Sequence, residues 1–224
     1  HHYRSVVTQS PTVAKKGLRT YTCTLCGNAY TEEIAMLTPQ KPGNVSGQKV
    51  AKATASSLKF TWKKASGVRY GLTLSQGKKK VSAKDTSSNS VTFTKLKPGT
   101  EYSLKITPYR KAGGQKVYAA KSATVKAATA PSQAKLSSLR KSGNKSAKIA
   151  WKKASGASGY EVYMRTGKGA YKKIKTIANA KTVSLVKSGL KKGKTYSFRV
   201  RAYKKLGNKK LYGRYSSTKS IKIK

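Results

Sequence analysis

Cys23 and Cys26 are the only cysteines in a chain of 224 residues, and they stand in the run Cys23-Thr24-Leu25-Cys26-Gly27. Two residues between thiolates let both sulfurs and the amides of the turn face a single ion, the way a structural zinc is wrapped. One such knuckle is half a site. A closed tetrahedral site needs two more donors, and the chain has two histidines, His1 and His2. His2 is expected as the third ligand, with His1 or a group outside this sequence as the fourth. The other state open to the pair is a free dithiol or a disulfide between the two thiols.

Beyond residue 26 there is no His and no Cys, and from residue 38 onward the acids are Asp85, Glu101 and Glu161 alone. A Ser-His-Asp set, a Cys-His dyad and a recurring pair of carboxylates are therefore not available. A lysine mechanism would have to choose among lysines of which none is distinguished, so the expectation is a chain that is not an enzyme. Charge is the second chemical feature: 50 Lys and Arg against 5 Asp and Glu leave a formal net charge of +45. Residues 1–37 hold Arg4, Lys15, Lys16 and Arg19 against Glu32 and Glu33, so nearly all of the basicity lies further along. Such a field attracts anionic polymers, whether a cell-wall polymer such as teichoic acid, an acidic glycan or nucleic acid. The alternative is that so basic a surface serves only to keep a long extracellular array soluble and unaggregated. Within it, Tyr163, Arg165, Arg199, Arg201, Tyr203, Tyr212 and Arg214 form a Tyr/Arg mosaic that can stack on bases or sugars and hold phosphate or sulfate. The alternative is a solvated face whose long side chains cover the sheet beneath.

The elements that carry these groups repeat. Trp62-Lys63-Lys64-Ala65-Ser66-Gly67 recurs unchanged as Trp151-Lys152-Lys153-Ala154-Ser155-Gly156, and Leu96-Lys97-Pro98-Gly99-Thr100-Glu101-Tyr102 lines up with Leu190-Lys191-Lys192-Gly193-Lys194-Thr195-Tyr196. The copies lie 89 residues apart at the tryptophans and 94 apart at the tyrosines, so the second has gained residues in a loop or hairpin. Inside each copy the apolar period is two: Leu58, Phe60 and Trp62 in one, Ala147, Ile149 and Trp151 in the other, then Tyr196, Phe198, Val200 and Ala202. One face is buried and the other wet, which places both tryptophans in the core. Gly- and Asn-rich punctuation such as Gly113-Gly114 and Gly207-Asn208 separates the runs. Short strands with such spacing predict an all-β architecture of two tandem sandwiches. The prolines at Thr38-Pro39-Gln40-Lys41-Pro42 and Thr129-Ala130-Pro131 read as linkers. The expected organisation is a small hairpin-rich module at 1–37, then sandwiches at 38–130 and 131–224.

A buried Trp on the second strand, the run from Gly156 to Tyr163 with Gly159-Tyr160 at its centre, and a Leu-x-x-Gly-x-x-Tyr corner resemble the immunoglobulin-like fibronectin type III domain, from about residue 42 to 224. The copies are similar in particular to those of secreted and cell-surface proteins of Gram-positive anaerobes. No Arg-Gly-Asp occurs in either hairpin loop, so integrin binding has no residue behind it. Residues 1–37 are similar to a short zinc-ribbon-like repeat that precedes such domains; where that repeat often has a Cys after Pro-Thr, this chain has Val13. The resemblance implies a non-catalytic, extracellular structural or adhesion segment, a basic spacer or presentation module that meets neighbouring domains or copies of itself. Binding of anionic polymers and service as accessory domains of a secreted hydrolase are the other readings. No apolar run approaches a membrane span, and without an initiator Met or leader the chain reads as a piece of a longer protein.

Overall fold

The computed structural model describes residues 1–224. Strands β1 (Tyr3–Gln9), β2 (Gly17–Cys23) and β3 (Ala29–Ile34) form an antiparallel meander. Pairing of Tyr3 with Cys23 fixes one end of this sheet and pairing of Gln9 with Leu18 the other. Only Gly17 and Cys23 are buried within residues 1–37, so the alternating residues here build no apolar core. A stack of tyrosines covers one face instead: Tyr21 lies parallel to Tyr30 at 4.8 Å, and Tyr3 meets Tyr30 edge-on at 5.2 Å.

The first copy contains β4 (Lys49–Ala53), β5 (Leu58–Thr61), β6 (Arg69–Gln76), β7 (Lys79–Thr86), β8 (Ser90–Phe93), β9 (Glu101–Ala112), β10 (Gln115–Tyr118) and β11 (Ala123–Ala128). The second contains β12 (Lys135–Lys141), β13 (Ala147–Lys152), β14 (Gly159–Thr166), β15 (Lys172–Ile177), β16 (Ser184–Lys187), β17 (Thr195–Leu206), β18 (Lys209–Tyr215) and β19 (Lys219–Lys222). Each copy is a sandwich of a three-stranded sheet, β4-β5-β8 or β12-β13-β16, against a five-stranded one, β10-β9-β6-β7 with β11 also on β9, or β15-β14-β17-β18 with β19 also on β17. In the larger sheets β10 and β11, or β18 and β19, follow each other along one edge of the long strand.

The period-two pattern explains why these runs are strands. Tyr70, Leu72 and Leu74 of β6 point inward with Leu58 and Phe60 of β5, and Tyr160 and Val162 of β14 meet Ile149, Phe198 and Val200. Each such side chain taken fully out of water stabilises the fold by about 1.5–3 kcal/mol. Both tryptophans are buried as expected, Trp62 edge-on to Tyr70 at 5.2 Å and Trp151 edge-on to Tyr160 at 5.4 Å. Both corner tyrosines take a hydrogen bond from the chain five residues upstream: the Lys97 amide donates to Tyr102 at 3.0 Å and the Lys191 amide to Tyr196 at 2.8 Å.

Between the sandwiches the chain has no slack. Thr129 and Ala130 are buried; the Ala130 amide donates to Thr54 O at 2.9 Å, and its carbonyl accepts from Gly99 at 3.0 Å. Two residues on, Ser132 donates to Ser155 O at 3.0 Å, while the Ser155 amide donates back to Ser132 Oγ at 2.8 Å. Gly99 of the first copy and Gly156 of the second meet backbone to backbone, so that a Cβ on either would fall inside the other's main chain. Both also have positive φ, 59° and 72°, which a side chain disfavours in its own right.

Candidate functional site

Two places bring chemistry-bearing side chains together. The first is the β2–β3 turn. The Gly27 amide donates to Cys23 O at 3.0 Å and the Cys23 amide to Asn28 O at 2.8 Å, closing a tight turn that presents both sulfurs. His1 Nδ1 lies 3.4 Å from Cys23 Sγ and 3.4 Å from Cys26 Sγ, and the three donor atoms lie within 4.8 Å of one another. The Cys26 amide, then that of Leu25, aims at the Cys23 sulfur, and together they hold its thiol below the usual range against the opposing effect of burial. His2, expected as a ligand, does not join this group. Its carbonyl is the part in use, accepting from the Thr24 amide and hydroxyl, and it is His1, just ahead of β1, whose ring reaches the sulfurs. Val13 lies in the β1–β2 connection, where its carbonyl approaches Gly113 of the first sandwich, at the end of the sheet away from the cysteines. A Cys at position 13 would therefore not face this pair.

The second place is the outer face of β14, β17 and β18. Residues 131–224 contain one acidic side chain, Glu161, against 27 Lys and Arg. This acid, without a catalytic partner in the sequence, is the organiser of this face. Its side chain is 1% exposed and faces Arg201 Nη2 at 2.8 Å, Lys210 at 3.4 Å and Lys173 at 3.5 Å. Tyr163 OH donates to it at 2.8 Å and Tyr212 OH at 3.1 Å. Burial alone would raise its pKa, but the Arg201 and Tyr163 hydrogen bonds and the Arg201 charge outweigh that and bring it down to about 2. Burial and the bond to Glu161 push the Tyr163 phenol well up.

Because Arg201, Lys173 and Lys210 take the only carboxylate, Arg165 and Arg199 have no acidic partner. They are held by aromatic rings instead. The Arg199 guanidinium lies 3.8 Å from the Tyr215 ring centre and 4.1 Å from that of Tyr171, and Arg165 lies 4.8 Å from Tyr171. The Nε of each is buried and finds no hydrogen-bond partner in the chain. Arg201, counted with the free cations on sequence, is an internal counter-ion that stacks on Tyr212 at 3.6 Å. Tyr203 also departs from its expected place: it is 4% exposed, packs beneath Gly159 and lies under Lys210. Arg214 lines, together with Tyr212, a cavity of about 530 Å³ between the sandwiches that Lys52, Thr54, Ala130 and Pro131 also border. Tyr171 is the contributor that sequence reasoning missed. It precedes β15, outside any alternating run, and only the hairpin brings it over β17.

The first copy supplies an internal control. Asp85 of β7 pairs across from Gly71, while Glu161 pairs across from Thr176, so the acids occupy opposite members of one cross-strand pair. Asp85 takes Arg69 at 2.8 Å, Tyr109 OH at 2.6 Å and Lys116 at 3.3 Å, and Lys116 lies over Tyr109 as Lys210 does over Tyr203. The acid–lysine–tyrosine cluster thus belongs to the scaffold. The mosaic does not: where the second copy pairs Tyr163 with Arg199 and Arg165 with Ser197, the first pairs Thr73 with Lys105 and Ser75 with Ser103. At these paired positions the first copy covers its larger sheet without an arginine or a tyrosine.

The fibronectin type III domain model matches residues 41–125 and again 129–219. The chain belongs to the fibronectin type III family. Fibronectin type III domains are generally non-catalytic structural or binding modules. Among solved structures, the two-domain fibronectin type III segment of chicken tenascin aligns with a TM-score of 0.50 at 20% identity, over 80% of this chain and 98% of that one. The chicken CNTN1 FN1–FN3 domains align at 14% identity with a TM-score of 0.41, over 92% of this chain and 77% of theirs. No curated protein sequence matches the chain. No helix is long and apolar enough to cross a membrane.

Proposed function

We propose that these tandem fibronectin type III domains are a non-catalytic spacer and presentation segment of a bacterial secreted or cell-surface protein, one that holds its two ends at a fixed separation. The observation that carries this reading is the joint. Gly99 and Gly156 touch through their main chains, and Thr129 to Ser132 are hydrogen-bonded to both sandwiches. Tandem domains otherwise move relative to each other unless the contact between them is extensive. A spacer with such a joint transmits orientation as well as distance. Small-angle scattering of residues 38–224 tests it: a rod whose maximum dimension is unchanged by salt supports the spacer, and a broad distribution of dimensions rejects it.

A second reading rests on a separate observation, the ring-stacked and acid-free guanidinium groups of Arg165 and Arg199. They suit phosphate or sulfate groups of an anionic polymer such as teichoic acid, an acidic glycan or nucleic acid. Their planes are already oriented by Tyr171 and Tyr215, so less side-chain freedom is lost on contact. Titration of heparin, DNA and teichoic acid against Arg165→Ala/Arg199→Ala and against Lys59→Ala/Lys105→Ala separates a site from a diffuse field. Equal losses in the two double variants reject the site.

A further inference from the structure

We infer that Cys23, Cys26 and His1 form a three-donor site for a thiophilic divalent cation of the zinc type, and that this ion is what holds the N-terminal module together. Two independent observations lead there. The first is geometric: His1 Nδ1 stands 3.4 Å from each sulfur, and all three donors fall within 4.8 Å. That grouping is compact enough for one ion to reach every donor at its usual bond length, about 2.0–2.3 Å for nitrogen and sulfur on zinc. The second is the lack of a buried apolar core, the stack of Tyr3, Tyr21 and Tyr30 being a surface contact. Among residues 1–37 only Gly17 and Cys23 are buried, and neither apolar core cluster of the chain draws on them. Chains below about 40 residues usually need a metal, a disulfide or a partner to stay folded. The module touches the first sandwich through Val13 and Ala14 beside Gly113, at the opposite end of its sheet from the cysteines, so that contact does not brace the turn.

The donor chemistry narrows the ion. Two thiolates and an imidazole select zinc and its soft neighbours over magnesium or calcium, which take oxygen donors. The five acids of the chain supply none here. Binding is an exchange of protons for metal: two thiol protons go to solvent, two sulfur–metal bonds and one nitrogen–metal bond form, and nothing is oxidised or reduced. Two thiolates neutralise a divalent charge locally, which matters in a chain of formal charge +45. Cys26 and His1 are exposed, so the fourth position faces outward, open to water or to a further protein donor.

The test uses the full chain, reduced and free of any affinity tag, with cobalt(II) as the probe. One equivalent should bind with thiolate-to-metal charge-transfer absorption, and zinc should displace it. Cys23→Ser and Cys26→Ser should each remove that absorption, His1→Ala should weaken binding at least tenfold, and His2→Ala should leave affinity within twofold. Limited trypsin digestion gives a readout independent of spectroscopy: zinc should protect Arg4 and Arg19, chelator should expose them, and the sandwiches should be unaffected. The inference is overturned by any of three results: no thiolate absorption while both thiols are free, a chain two hydrogens lighter with the cysteines joined, or binding that survives the double Cys→Ser variant. Equal losses for His1→Ala and His2→Ala reject the assignment of His1.

Discussion

Replacing Glu161 by Gln keeps the shape of the side chain and removes the only acidic side chain of residues 131–224, leaving Arg201, Lys173 and Lys210 facing one another without a counter-ion. The magnitude follows from the pKa. The native carboxylate titrates at about 2 against 4.5 for a free glutamate. Each unit is worth about 1.4 kcal/mol, so the ionised form stabilises this domain by about 3 kcal/mol. The side chain is 1% exposed, so solvent screening takes little from that figure. For a depressed carboxylate the contribution is fully present above the unfolded pKa and is lost as pH falls through the folded one. Glu161→Gln should therefore cost about 3 kcal/mol at pH 7, less and less below pH 4.5, and well under about 1 kcal/mol near pH 2, where half of the wild-type carboxylate is already protonated. The assay is urea unfolding followed by Trp151 emission in a Trp62→Phe background, since each sandwich has its own tryptophan. A cost that does not change between pH 7 and pH 2, or one below about 1 kcal/mol at pH 7, refutes the reasoning, because both would mean that the cations lose little when the carboxylate goes.

Gly156→Ala should separate the sandwiches without unfolding either: the melting of isolated residues 131–224 should change only slightly, while the small-angle scattering of residues 38–224 should shift to broader dimensions. Tyr196→Phe should cost about 1 kcal/mol in the second sandwich through loss of the bond from the Lys191 amide, with Tyr102→Phe doing the same in the first, both read by urea unfolding. Heparin affinity should fall linearly on a log–log salt plot; Arg165→Ala/Arg199→Ala should lower affinity by about tenfold or more, with a smaller loss for Lys59→Ala/Lys105→Ala.

The fold was legible because burial writes itself into a period of two. Leu58, Phe60 and Trp62 announce an inward face, and the repeated Trp-Lys-Lys-Ala-Ser-Gly run identifies equivalent positions without any second sequence. Faces are harder to read when a bulge interrupts the alternation. The register of β17 against β18 shifts between Arg201 and Tyr203, and Tyr203, nominally an outer residue, is buried. Glu161 was legible only as an isolated acid, because the cations around it come from β15, β17 and β18 and no sequence spacing ties them to β14. Tyr171 and the Gly99–Gly156 contact share that property: each joins residues that are distant along the chain through a turn or a linker whose path a local pattern does not encode. At the knuckle the Cys spacing located the pair, but the choice between His1 and His2 depended on which way each faces from the start of β1.

The spacer reading rests on the two sandwiches moving as one body. Residual dipolar couplings measured on backbone amides of residues 38–224 in a weakly aligning, positively charged or neutral medium address that directly. The couplings of β4–β11 and β12–β19 should fit one alignment tensor of common size and orientation, and Gly156→Ala should split them into two. Two tensors of unequal magnitude in the unaltered chain would contradict that reading, and would make the joint a hinge.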